Sequence, residues 1–456
     1  MNLCSRNIVW LKRDLRSQDH EPIFYAEKLD IPYSVLYIFE PSQRFHPDYS
    51  ERHEQFVYGS LMDLQDKLNN SIAVFYGEAE DIFNLLIDKY DINQVFSYQE
   101  SGTQITWKRD QNVKKLFTDN QINWKEFQRD GIVRGIKNRE NWDKLWCNQM
   151  QKPLLVNSYL NLSKLEVPKK FKYSFNLEPL PKQMQQPGED NAWKYLQSFV
   201  NGRGKMYSKH ISKPTQSRTS CSRISPYLAW GNISVRQAYN FVKPYKIRGF
   251  LTRLKWRCHF IQKFEVECDY EIRCINRGYE LLNYKNNPEF LMAWMQGNTG
   301  YPLIDANIRC LINTGWINFR MRAMLVSFLC HHLDIEWQKG AYYLGKLFLD
   351  YEPGIHFTQF QMQAGTTGIN TIRIYNPLKQ AKDHDANGLF IKKWVPELSK
   401  LTAEELIEPW MFASSYPRPI IDLKISHDYA RKKLWGHRKK PLVKQENSRI
   451  LKTHVR

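Results

Sequence analysis

Three short stretches carry residue types that could do chemistry. Ser222-Arg223-Ile224-Ser225-Pro226 combines two hydroxyls and a guanidinium with a helix start, Ser225 and Pro226 reading as an N-cap and first-turn pair. Free N–H groups at a helix start, beside an arginine, are a natural seat for a pyrophosphate; a plainly capped helix is the competing reading. Trp256-Arg257, preceded by Arg253 and Lys255, sets an indole among cations. Such an indole can be a stacking platform for an extruded base, or a core residue. Arg320 and Arg322 precede an apolar run from Met324 to Leu329. If buried, they need a partner or a polar ligand; otherwise they are solvated arginines on a core helix. The adjacent His331 and His332 make a weak metal pair, and no Cys-x-x-Cys spacing supports a zinc or thioredoxin reading.

Elements must position these residues. At 456 residues, two domains are the expectation. Runs at Ile8–Leu11, Tyr33–Phe39, Ile72–Tyr76 and Gln94–Tyr98 read as strands. Between them lie helical patterns such as Val57, Leu61, Leu64 and Leu68. That alternation predicts a doubly wound parallel α/β domain over residues 1–134. The loop after its first strand, Lys12-Arg-Asp-Leu-Arg16, has no glycine to admit a pyrophosphate, which argues against a nucleotide fingerprint there. Residues 135–190 read as a proline-bearing connector and residues 191–435 as an all-α domain, with residues 436–456 as a basic, mobile tail. Within the helical half, Ile304, Ile308, Leu311 and Ile312 form an apolar stripe that ends at Gly315, a helix C′ residue. Ser234 and Gln237 form a capping box.

The net charge is +19, with a pI near 9.4, and points to a polyanionic partner. The dispersed cysteines suit buried thiols in a reducing compartment. With no signal-peptide pattern and no long apolar run, the expectation is a soluble, cytoplasmic protein without a membrane partner, acting as a monomer.

The order and spacing of these pieces, from Asn7 to about Trp435, resemble the photolyase/cryptochrome family. So do Thr299-Gly-Tyr-Pro, Thr314-Gly-Trp-Ile-Asn-Phe-Arg-Met-Arg322, Asp350-Tyr-Glu352 and Gly354-Ile-His-Phe. The resemblance implies FAD in the helical half. Tyr207, the segment Cys221, Ser222, Arg223, Ile224 and Ser225, an Arg322–Asp350 ion pair, Tyr351, Glu352 and His356 would contact it. Cys221 stands where the family keeps a threonine, and His356 where typical repair enzymes place an asparagine facing flavin N5. A damaged base would meet Arg253, Trp256, Arg257, Phe319, Arg320 and Met362, with Trp256, Arg257 and His356 in catalytic roles. Arg253 replaces the repair enzymes' glutamate and Phe319 a polar contact. The histidine pair of the (6-4) branch is absent at Phe319 and Ala323. The family's electron relay maps to Phe360, Trp337 and Tyr284, with phenylalanine and tyrosine in place of tryptophans. Gln99-Glu100-Ser-Gly-Thr with Trp107-Lys-Arg-Asp110 resembles an N-terminal landmark, where Glu100 could touch an antenna chromophore or serve a turn. The implied activity is light-driven repair of a flipped pyrimidine dimer in single- or double-stranded DNA by reduced FAD. A cryptochrome-like blue-light sensor is the alternative.

Overall fold

The computed structural model describes residues 5–454. Five parallel strands, β1 (Ser5–Leu11), β2 (Tyr33–Phe39), β3 (Ile72–Tyr76), β4 (Asp91–Tyr98) and β5 (Asn123–Phe127), form one sheet in the order β3-β2-β1-β4-β5. Four of these match the expected runs. The fifth, Asn123–Phe127, escapes sequence reading because it is an edge strand whose residues are mostly exposed or half-buried. Alternation divides the sheet's side chains. Ile8, Trp10 and Leu36 pack under the helices Ala79–Lys89 and Gln104–Asp119, while Val9, Leu11 and Val35 face the other layer. That second layer continues without a break into the helical half, through Leu196, Tyr227 and Leu254, so the two halves share one apolar core. A further core, built on Ile304, Leu311, Met324 and Phe357, belongs to the helical half alone.

The loop after β1 shows why it lacks a phosphate-binding glycine. It docks on the helical half: Leu15 N–H donates to Trp230 O at 3.2 Å, and Arg13 lies 4.3 Å over the Trp230 ring. A Cβ on Gly231 would meet Arg13 O at 2.2 Å, and its φ is 77°, so glycine is required on the helical side of this contact. The stripe over Ile304 to Leu311 forms the helix Pro302–Thr314, closed by left-handed Gly315. The Ser234–Gln237 capping box is present.

One expectation is corrected. The C-terminal residues are not a mobile tail: Pro441–His454 is a helix that buries Val443, Ile450 and His454. Arg449 pairs with Glu446 at 3.0 Å and also with Glu267, and Asn276 donates to Val443 O at 3.0 Å. Val443 and Ile450, seven residues apart, lie on one helical face; the surrounding lysines and arginines hid that face in the sequence.

Candidate cofactor and nucleic-acid site

A cavity of about 1120 Å³ opens in the helical half. This lies just above the roughly 300–1,000 Å³ range of ligand sites. Two helices, Arg248–Val266 and Pro353–Ala364, form much of its wall, and at Gly354 they approach so closely that a Cβ would meet Ile261 Cα at 2.8 Å. The loop Cys221–Ile224 and the helix Phe319–Ser327 supply further parts of it.

At one end lies the anion seat. Ser222, Arg223 and Ser225 line it, but the helix Ser225–Trp230 begins one residue earlier than expected. Ile224 is the N-cap and Ser225 sits inside the first turn, so its side chain does not cap. The loop is held from behind by Arg203, which donates to Cys221 O at 2.6 Å and Ser222 O at 3.2 Å, a role no sequence pattern announced. Arg223 is buried in a left-handed turn (φ 61°), bonded to Gln185 Oε1 at 3.1 Å and Arg218 O at 3.3 Å, with its guanidinium 4.1 Å over Trp316. Among the described residues neither Arg223 nor Arg218 has a carboxylate partner. Burial, reinforced by Arg218, lowers the Arg223 pKa to about 10. Two clustered guanidiniums without a counter-ion fit a pyrophosphate. Cys221 contributes a neutral thiol, pushed by burial up to about 11. Tyr207 also lines the cavity, its phenol raised by burial.

Deeper in, Arg322 and Asp350 come together, Nη2 to Oδ2 at 2.7 Å, and Arg322 lies 3.9 Å over Phe348. His356 faces the cavity from the Pro353–Ala364 helix. Its Nε2 lies 2.7 Å from Ala341 O, which fixes the proton there and leaves Nδ1 as an acceptor. Burial holds its pKa down at about 4, so the ring is neutral at pH 7.

The lip carries the exposed apolar groups. Trp256 and Phe319 are each 45% exposed, with Arg253, Arg320 and Met362 also on the cavity lining. Trp256 packs on His259 and Phe260, with ring centroids 4.9 and 5.6 Å apart. Arg320 reaches Tyr375 Oη at 3.2 Å. His259, Lys263 and Arg373 join the wall although nothing in their sequence context marked them.

Three residues sit differently from their expected roles. Arg257 does not reach outward as a free cation: it pairs with Glu352 at 2.8 Å and Asp130 at 3.3 Å. Glu352, almost fully buried, also takes Arg129 at 2.7 Å, so both residues tie the two halves together at the cavity's edge. Tyr351 faces away from the cavity, its hydroxyl on Asp48 at 2.9 Å and its ring stacked 5.6 Å from His53. The exchange follows from the turn at Asp350–Glu352, which sends successive side chains to opposite sides.

The relay positions are spread through the second core. Phe360 lies 5.6 Å from His356 and 6.4 Å from Trp337, which is buried with its indole N–H on Cys274 Sγ at 3.4 Å. The Tyr284 hydroxyl is buried without a hydrogen-bond partner, and the Lys433 ammonium lies 4.4 Å over its ring. His331 and His332 are satisfied core residues, bonded to Ala364 O and Tyr375 O at 3.1 and 3.0 Å.

A second, smaller cleft of about 130 Å³ lies between the halves, at the carboxyl ends of β1 and β4. Glu100 lines it, held by Arg109 at 2.7 Å and Arg13 at 3.4 Å. Burial alone would raise this carboxyl, but the arginines outweigh it and bring it down to about 2. The cleft is too small to enclose a second flavin-sized molecule.

Comparison with known proteins places this architecture. The family model described as DNA photolyase matches residues 7–137, and the FAD binding domain of DNA photolyase matches residues 250–436. The deoxyribodipyrimidine photo-lyase of Buchnera aphidicola subsp. Acyrthosiphon pisum is 29% identical, covering 91% of this chain and 94% of its own. The cryptochrome DASH of Synechocystis is 25% identical over 93% and 97%. A deoxyribodipyrimidine photo-lyase of Alkalihalophilus pseudofirmus is 34% identical over a stretch spanning 54% of each chain. Among solved structures, the bacterial class III photolyase of Agrobacterium tumefaciens superposes with TM-score 0.82 at 23% identity, covering 96% of this chain and 98% of that one. The archaeal photolyase of Sulfolobus tokodaii, crystallised with two FAD molecules, gives 0.82 at 25%, covering 94% and 100%. The fold and cavity are those of a two-domain flavoprotein. The chain belongs to the DNA photolyase/cryptochrome family, and FAD is its cofactor. No helix among the described residues is long and apolar enough to cross a membrane.

Proposed function

We propose that this chain is a light-driven DNA repair flavoenzyme that accepts a pyrimidine dimer swung out of the strand into the cavity. One observation carries the reading: two exposed aromatic rings, Trp256 and Phe319, stand at the mouth of a cavity whose interior holds an uncompensated arginine seat and the Arg322–Asp350 pair. Bound there, FAD would supply light absorption and a transferable electron, with no net redox change over the cycle. The chain's own groups position and shield. Arg223 and the loop hydroxyls hold the phosphates, and Asp350 neutralises Arg322 beside the ring. Neutral His356 presents its Nδ1 acceptor. Trp256 and Phe319 stack the extruded base and exclude water, while Arg253 and Arg320 attract backbone phosphate. The protein acts as a cytoplasmic monomer on damaged DNA, single- or double-stranded. An antenna chromophore, like the light-harvesting cofactor implied for the Sulfolobus photolyase, would lie along the rim of the interdomain cleft rather than inside it.

A photoreceptor without repair activity is the second reading, favoured by Arg253 at the position of the repair enzymes' glutamate and by relatives named cryptochrome. Equilibrium binding separates the two. Trp256→Ala should weaken binding to dimer-containing DNA about tenfold or more while leaving undamaged DNA unchanged, because only the damaged strand presents a base to stack. Equal affinity of the wild-type protein for both DNAs would favour the sensor.

A further inference from the structure

The Pro353–Ala364 helix contains three glutamines, and they are treated differently. Gln361 faces the core, and its amide is fully used: it accepts from Ile275 N–H at 2.6 Å and donates to Tyr270 O and Arg273 O, each at 2.8 Å. Gln359 and Gln363, four residues apart and therefore one above the other on the same face, turn to the cavity instead. Gln363 is only 5% exposed, yet its side-chain amide has no hydrogen-bond partner among the described residues. Gln359 Oε1 is likewise buried and unpartnered. Two amides without a protein partner, on one helical face that lines the cavity with Met362, mark a place where a ligand completes the bonding.

We infer that Gln359 and Gln363 read the hydrogen-bonding edge of the extruded pyrimidine. This inference rests on the repair reading above. The chemistry matches. A carboxamide offers one acceptor and two donors, and so can pair with the N3–H and O4 of a thymine. Rotated by half a turn, the same amide meets the N3 and amino group of a cytosine. A carboxylate, being acceptor-only, cannot make both pairings. Arg253 provides no acceptor at all, so these amides supply base-edge recognition from the neighbouring helix, and the site should accept cytosine-containing as well as thymine dimers.

The test measures the affinity of FAD-loaded protein for an oligonucleotide with a single thymine dimer and for its undamaged twin. Wild type, Gln359→Leu, Gln363→Leu, the double variant and Gln363→Glu are compared, with flavin content and visible spectrum recorded for each. The double variant should lose about tenfold or more for dimer DNA, with undamaged affinity and flavin content unchanged. Gln363→Glu, whose carboxylate accepts from thymine N3–H but opposes O4 with a second acceptor, should bind the thymine dimer more weakly than wild type. An undiminished dimer preference in the double variant overturns the inference alone. Loss of flavin from the double variant also overturns it, by assigning the amides to the cofactor. A wild-type protein with no dimer preference removes the repair reading and this inference together.

Discussion

The Arg322–Asp350 pair decides whether the cavity can hold its cofactor. Asp350 is nearly buried and is the only carboxylate within salt-bridge distance of Arg322 among the described residues. Removing it leaves a cation facing apolar surface, a loss on the order of 3–5 kcal/mol where a buried pair is broken. Asp350→Ala should therefore purify with little FAD and reconstitute poorly, measured as flavin absorbance per protein. Full flavin occupancy in that variant would remove the pair from the cofactor site. The same scale shows what single residues conceal. Arg257 and Glu352 looked like site residues by position, yet their charges balance with those of Arg129 and Asp130 across the interface between the halves. Sequence position places a side chain near a site; only its partners say whether its charge is still available.

Among elements, the aromatic chain across the second core sets how oxidised flavin is reduced by light. Phenylalanine at 360 is far harder to oxidise than tryptophan, and it stands between His356 and Trp337. Tyr284 is no better placed: its hydroxyl has no acceptor for the proton it would release, and Lys433 over its ring opposes a positive charge there. Trp316 lines the cavity but lies under Arg223, which also disfavours its oxidation. Photoreduction should accordingly be slow. Phe360→Trp should speed it, and Trp337→Phe should change it little, as followed by flavin bleaching under blue light. Fast wild-type photoreduction abolished by Trp337→Phe would show that electrons still pass through that position. Much of this architecture was legible in the sequence because strands β1 to β4 and the Pro302–Thr314 helix have strong apolar periodicity. The Asn123–Phe127 edge strand and the Pro441–His454 helix were not, since the first buries little and the second dilutes its apolar face with charge. The two unpartnered glutamines were invisible for another reason: which face of a helix meets a cavity depends on the packing of the whole domain.

At the scale of the whole molecule, the charge of +19 and the packing of the C-terminus are separate matters. Deleting residues 441–454 removes basic groups, but it also uncovers the core that Val443 and Ile450 close. Burial of each is worth about 1.5–3 kcal/mol. The truncated protein should melt several degrees lower, a change that a detached tail would not cause. DNA affinity should fall steeply with salt in the intact chain, because lysines and arginines displace counterions from phosphate. A truncation that leaves the melting temperature unaltered would contradict the packed helix.

The central claim is that this cavity reverses pyrimidine dimers with light, and the direct measurement is dimer loss from DNA. FAD-loaded protein, chemically reduced, is mixed with dimer-containing single- and double-stranded oligonucleotides and held under blue light or in darkness, with Trp256→Ala in parallel. The account predicts restoration of intact pyrimidines in the light only, strongly diminished in Trp256→Ala at equal flavin content. Persistence of the dimers under light, with flavin reduced and DNA bound, would contradict it.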